Sequence, residues 1–381
     1  MKLSSIFWIL IVASPLYAKN NDYNDTSSSN KYSLVWQKAA DSSTYFLINN
    51  YWNVNQKYFN TRNAGNIDFA YWPQAHALDV LLDAHGRSKD VVYLSYINQW
   101  IDGVKRKNGG SFLNNFYDDE GWNGLAMLRA YDSTHNVAFK TATAIIWDDI
   151  KKGWSNLGGG GVAWSKTTPA FKNTPANGPA CILAARIYQQ FKKPDDLAWA
   201  NKIYKWLKDS MMNAVTGSVI DGLQADKGSK AMHIYTYNQG LMIGAALEMF
   251  NITHNRAYLN DAVKVADNAL HNKSITTKEG LLIDEGNGDG GLFKGVFVRY
   301  FTLLITNPYL PSKTKDKYLS FLKHNAETMW HYGTNKQAGT FGSYWKMAPT
   351  SDSPTDLTTE ISGCTLMEAA ALLDKEGYFN N

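Results

Sequence analysis

Asp118 and Asp119 stand side by side in Phe116-Tyr117-Asp118-Asp119-Glu120-Gly121-Trp122, where a loop runs into a helical stretch. Neighbouring carboxyls beside aromatic rings suit glycosidic chemistry. One acid can protonate a departing oxygen while the other attacks or stabilises the anomeric carbon. Retention asks for carboxyls about 5–5.5 Å apart and inversion for about 6.5–9.5 Å, and consecutive residues readily meet the shorter distance. An ionised neighbour also raises the pKa of its partner, as an acid role requires.

Two further Asp-Asp doublets serve as controls. Asp148-Asp149 falls inside a helical stretch, where Asp148 and Lys152 have i,i+4 spacing, and reads as a solvated, salt-bridged face. Asp195-Asp196 follows Pro194 at a helix start, where carboxylates can cap free N–H groups. Asp118-Asp119 could also be a cap. Three features set it apart: it leads into an apolar helix, Tyr117 and Trp122 flank it, and four other polar segments converge on the same place.

That convergence follows from the elements. Helical periodicity predicts twelve helices near 32–60, 69–85, 89–106, 120–132, 137–154, 177–191, 195–214, 235–251, 255–271, 290–306, 312–330 and 359–375. Odd members carry charged faces, as outer helices do. Even members are apolar nearly all round and rich in small residues, as in Gly240-Leu241-Met242-Ile243-Gly244-Ala245-Ala246, and such helices are buried. The expected fold is all-α, an (α/α)6 barrel of six inner and six outer helices. An irregular α-solenoid is the competing arrangement. No comparably long segment alternates at period two, so a large sheet is not expected.

In an up-and-down toroid all inner helices start at one end. The mouth then gathers Tyr71-Trp72-Pro73-Gln74, Tyr117-Asp118-Asp119, Lys172-Asn173-Thr174-Pro175-Ala176-Asn177, Tyr235-Thr236-Tyr237-Asn238-Gln239 and Asn287-Gly288-Asp289-Gly290-Gly291. Asn238 and Gln239 serve equally as helix caps or as site residues. Gly158-Gly159-Gly160-Gly161 lacks the Gly-Lys-Ser/Thr of a phosphate loop and reads as a flexible turn delivering Val162-Ala163-Trp164. Gly288-Asp289-Gly290-Gly291 lacks the ligand ladder of a calcium loop.

Composition narrows the partners. With 38 basic and 34 acidic residues and no basic cluster, nucleic acid is not indicated. The 13% aromatic content, including 13 Trp, fits sugar stacking and fits a large helical core equally. Cys181 and Cys364 lie in separate apolar stretches and read as buried free thiols. No Cys-x-x-Cys and no His-Glu-x-x-His is present, so neither metal nor cofactor is expected. Residues 1–18 read as a cleavable secretory signal ending at Leu16-Tyr17-Ala18, and 19–31 as a disordered lead-in. The expected product is an exported, monomeric protein with one catalytic domain over 32–381, no stable membrane insertion and no lipid anchor. Asn24-Asp25-Thr26, Asn251-Ile252-Thr253 and Asn272-Lys273-Ser274 are glycosylation sequons, meaningful only in a eukaryotic secretory route.

Five blocks in common order resemble glycoside hydrolase family 76, the endo-α-1,6-mannanases, across nearly all of the mature region. They are Trp72-Pro73-Gln74-Ala75-His76-Ala77-Leu78-Asp79, Tyr117-Asp118-Asp119-Glu120-Gly121-Trp122, Gly159-Gly160-Gly161-Val162-Ala163-Trp164, Thr236-Tyr237-Asn238-Gln239-Gly240 and Gly288-Asp289-Gly290-Gly291-Leu292-Phe293-Lys294-Gly295. The resemblance implies an (α/α)6 barrel and retaining cleavage of α-1,6-mannan backbones. It implies Asp118 as nucleophile and Asp119 as general acid/base. The family often carries another aromatic where Asn123 stands.

On this reading Trp72, Trp122 and Tyr237 are stacking platforms, with Tyr117 beside them. Asn177, Asn238, Gln239, Asp289 and Lys294 would bind sugar hydroxyls. A cell-wall transglycosylase using the same pair, a silent glycan-binding barrel and an unsaturated-uronyl hydrolase are the alternatives. The last should show more cations at the mouth than Lys172 and Lys294.

Overall fold

The structure, a computed structural model, describes residues 35–65 and 68–379. The expected signal, the lead-in and the first sequon lie outside the described residues. The first helices are α1 (Trp36–Tyr51), α2 (Tyr71–Ser88), α3 (Val92–Lys107), α4 (Tyr117–Thr134), α5 (Val137–Ile150) and α6 (Thr174–Phe191). The rest are α7 (Pro194–Trp206), α8 (Thr236–Thr253), α9 (Arg256–His271), α10 (Gly290–Ile305), α11 (Ser312–His331) and α12 (Leu357–Lys375).

The even helices form a closed ring. Each packs on the next, α2 on α4 through to α10 on α12, and α12 returns to α2. The odd helices lie outside, α1 against α12 and α3, α5, α7 and α9 against the inner helix that precedes each, with α11 touching α10 and α12. This is an (α/α)6 barrel. Small residues allow the close inner packing: a Cβ at Gly240 would sit 2.7 Å from the Phe297 backbone of α10.

The two ends of the barrel differ. At one, inner helices turn tightly into outer ones through left-handed residues, Lys89, His135, Lys192 and His254. Asn136 and Asn255 then cap α5 and α9 by accepting the N–H of Ala138 and Ala257. At the other end the connections are long and hold short strands. These are β1 (Trp52–Asn53) with β2 (Tyr58–Phe59), and β7 (Thr334–Asn335) with β8 (Thr340–Phe341). Between them lies a four-stranded antiparallel sheet of β3 (Ala163–Ser165), β4 (Thr168–Asn173), β5 (Gly222–Gln224) and β6 (Ser229–Ala231). Strands this short carry too few alternations to register as period two. The helix expected over 32–60 accordingly stops at Tyr51, where the first hairpin begins.

A repeated clamp joins these connections to the ring. The fourth residue of α2, Gln74, accepts the Phe59 N–H at 2.9 Å and returns an N–H to the Phe59 carbonyl at 2.7 Å. Asn177, fourth in α6, holds Val162 in the same two-bonded way, and Gln239, fourth in α8, holds Val219. Carboxyls fill the equivalent places in α4 and α12: Glu120 accepts the Asn114 N–H and Glu360 the Phe341 N–H. All five side chains are fully buried. Deeper in the ring, ion pairs draw on every inner helix. Arg129 and Arg299 share Asp79 and Asp83, Arg186 pairs with Glu248, and Arg87 grips Glu368.

Burial pushes the Glu360 carboxyl up to about 8. A group that holds its proton more tightly when folded contributes full stability below its unfolded pKa and loses it as pH rises through the folded value. Glu360→Gln supplies the amide found at the sister positions. It should therefore raise stability by several kcal/mol above pH 8, with the gain vanishing as pH falls through about 4–5. Urea denaturation of both proteins at pH 5 and pH 9 checks this, and a larger gain at pH 5 would refute it.

Candidate active site

The mouth holds a cavity of about 460 Å³. Phe116, Trp164 and Phe171 line it, as do Trp72, Trp122 and Phe293, with Tyr237 and Asn173 completing the wall. Four carboxyls reach it: Asp118, Asp119, Asp221 and Asp289.

Asp118 and Asp119 occupy the first turn of α4, which begins three residues earlier than periodicity predicts. Neither caps it, since the N-cap is Phe116 and it makes no side-chain bond. The two carboxyls differ in their hydrogen bonding. Asp118 Oδ2 accepts the Trp164 indole N–H at 3.0 Å and Oδ1 accepts the Asp119 backbone N–H at 3.1 Å. No hydrogen bond reaches the Asp119 carboxyl among the described residues. Burial pushes Asp118 up to about 7, and its two donors pull against that rise. Asp119 is held well above the usual range by burial, then by the charges of Asp118 and Asp289. Asp118 is thus the carboxyl equipped to be an anion and Asp119 the one that keeps a proton.

The four-stranded sheet delivers Trp164. An isolated bridge ties Phe116 to Ser165, and Trp164 packs against Phe116 with ring centroids 4.9 Å apart. The glycine turn before β3 is pinned rather than flexible. Lys172 is wholly buried and its Nζ donates to the carbonyls of Ser155, Leu157 and Gly160 at 2.6–2.7 Å. Gly160 and Gly161 take φ of 127° and 93°, and a Cβ at either would strike Trp154 or Trp206.

Aromatic rings frame the far side. Tyr237 and Phe293 stack 3.9 Å apart at 6°, and Trp72 lies 6.3 Å from Trp122 and 6.4 Å from Phe293. The Trp72 indole donates to Asp289 Oδ1 at 2.8 Å, at the start of α10. Asp221 accepts from Tyr237 Oη at 3.3 Å and from Asn238 Nδ2 at 3.1 Å.

The structure thus brings Asp118, Asp119, Trp72, Trp122, Tyr237 and Asp289 to one cavity. The other expected contacts lie elsewhere. Asn177 and Gln239 are the clamps described above, with their amides spent on backbone. Lys294 is buried and donates to the carbonyls of Ile283 and Ser343. Asn238 is buried and touches the cavity only through Asp221. Tyr117 packs behind the site, against Gly153 and under Lys166. Asn123 is buried and donates to the carbonyls of Tyr71 and Asp119. Trp164, Asp221, Phe116, Phe171 and Phe293 line the cavity without a sequence signal that marks them as site residues, although Trp164 and Phe293 lie inside the quoted blocks.

The control doublets fall on the outer layer. Asp148 and Asp149 pair at i,i+3 with Lys151 and Lys152, in place of the i,i+4 pair expected. Asp196 accepts the Trp147 indole N–H and makes no cap.

Fold and site together place the chain among (α/α)6-barrel proteins whose mouth holds paired carboxyls in an aromatic cleft. The sequence profile of glycosyl hydrolase family 76 matches residues 35–381, and the chain belongs to that family. One similar structure is an inactive variant of an alpha-1,6-mannanase of Salegentibacter sp. HEL1_6, with two consecutive aspartates changed to asparagine, in complex with alpha-1,6-mannotriose. It is 40% identical, covers 89% of this chain and 99% of that one, and has a TM-score of 0.85. A Listeria innocua protein is 32% identical with a TM-score of 0.82, covering 90% of this chain and 99% of that one. Mannan endo-1,6-alpha-mannosidase DCW1 of Candida glabrata is 26% identical over 55% of this chain and 50% of its own length. The chain spans about half the length, or less, of the curated relatives it matches.

Trp164→Phe removes one donor to the Asp118 carboxylate and keeps the ring. The lower apparent midpoint of the Asp118–Asp119 pair should rise by about one pH unit, which ¹³C-carboxyl NMR titration reads directly. An unmoved midpoint would remove the indole from the electrostatics of the site.

Proposed function

We propose that this protein is an exported glycoside hydrolase that cleaves α-1,6-mannosidic bonds in mannan backbones by a retaining double displacement. The observation that carries the roles is the unequal bonding of the two adjacent carboxyls. Asp118, with two donors, attacks the anomeric carbon. Asp119, with no donor among the described residues and beside that anion, protonates the leaving oxygen and later deprotonates water. Tyr237, Phe293, Trp72 and Trp122 offer ring faces to pyranose C–H surfaces. Asp221 and Asp289 offer acceptors to hydroxyls. The Salegentibacter mannanase supports the substrate class, because its inactive variant lacks two consecutive aspartates and holds an α-1,6-mannooligosaccharide. Transglycosylation uses the same residues and differs only in the acceptor.

Asp118→Ala should lose turnover on debranched α-1,6-mannan by at least about 10⁴-fold with its melting temperature kept. Asp119→Ala should recover glycosylation on substrates with activated leaving groups, because they need no protonation. Near-normal mannan turnover by Asp118→Ala, or an Asp119→Ala defect indifferent to leaving group, would sink the assignment.

A further inference from the structure

A second cavity of about 390 Å³ opens beside the first. The segment between α9 and α10 serves both: Asp289 lines the first, while Asp284 and Asn287 line the second. Asp356, just before α12, ties that segment down by accepting the Gly288 N–H at 2.9 Å and pairing with Arg62 at 2.9 Å. The opposite wall is the stretch after β8, including Tyr344 and the hydroxyls of Thr350 and Ser353. Thr359 also lines it, and its buried hydroxyl has no hydrogen-bond partner among the described residues.

The chemistry of this lining selects a neutral polyol. Its formal charges are two carboxylates and one guanidinium that is paired through Nε with Asp356, so the lining is net negative and disfavours an anion. The rest mixes hydroxyls and a carboxamide with the Tyr344 ring and apolar surface from Phe341, Met347, Ala348, Pro349 and Pro354, a combination that fits the two faces of a pyranose. We infer that the second cavity binds a hexopyranose unit of the same glycan, away from the bond cleaved, so that chain length or branching is read there. This rests on the mannanase reading for its ligand and on the shared 284–289 segment for its place.

The test compares wild type with Tyr344→Ala on three probes: α-1,6-mannotriose, unbranched α-1,6-mannohexaose and side-branched mannan. The expected result is a loss in kcat/KM of about tenfold on a large probe, equivalent to about 1.4 kcal/mol, with the triose within about twofold. Loss on hexaose places the outlying backbone in the cavity, and loss on branched mannan alone places a side branch there. Equal rates on all three, or equal losses on all three, would overturn the inference. If wild type cuts none of them, the mannanase reading falls by itself. NMR titration of Asp118→Asn with mannohexaose then decides the cavity. A shifted Tyr344 ring resonance supports it and an unmoved one overturns it.

Discussion

Two carboxyls on consecutive residues, buried in one cleft, oppose each other's ionisation. The rest of the site is built around that constraint. The first-turn position in α4 offers both groups the favourable end of a helix dipole, yet the donors go to Asp118 alone. Burial and the neighbouring charge then keep the proton on Asp119. The asymmetry rests on the Asp119 backbone N–H and then on Trp164, an indole that arrives from a different part of the chain.

Holding that indole in place takes a chain of supports. Lys172 fixes the glycine turn, Asn177 fixes Val162, and the bridge from Ser165 to Phe116 ties the sheet to the start of α4. The same kind of clamp recurs around the barrel, so the mouth is a set of pinned hairpins rather than loose loops. Below it, buried ion pairs at the middles and in the C-terminal halves of the inner helices link neighbours around the ring. Removing one partner is costly where it leaves a buried charge short of its counter-charge, as at Glu368 without Arg87.

Much of this was legible in the sequence. Charged and apolar helices alternate plainly enough to give the barrel and the end at which Asp118 and Asp119 sit. What misled was side-chain chemistry without position. An amide at Asn177 or Gln239 serves a sugar hydroxyl or a backbone peptide equally well, and Lys294 at the mouth looks like a ligand until it is found buried. A signal was nonetheless present. Gln74, Asn177, Gln239 and Glu360 all stand fourth in an inner helix, and that regularity becomes visible only when helix starts are placed to the residue. Trp164 was missed because its strand is three residues long, and Asp221 because nothing local marks a lone aspartate before a short strand.

The central claim is that Asp118 forms the bond to the sugar and Asp119 moves the proton. The most direct measurement is mass spectrometry of the protein after brief reaction with a 2-deoxy-2-fluoro α-mannosyl donor, followed by peptide mapping. One glycosyl ester is expected, on Asp118. An ester on Asp119, or clean turnover of the donor with inverted product and no adduct, would contradict it.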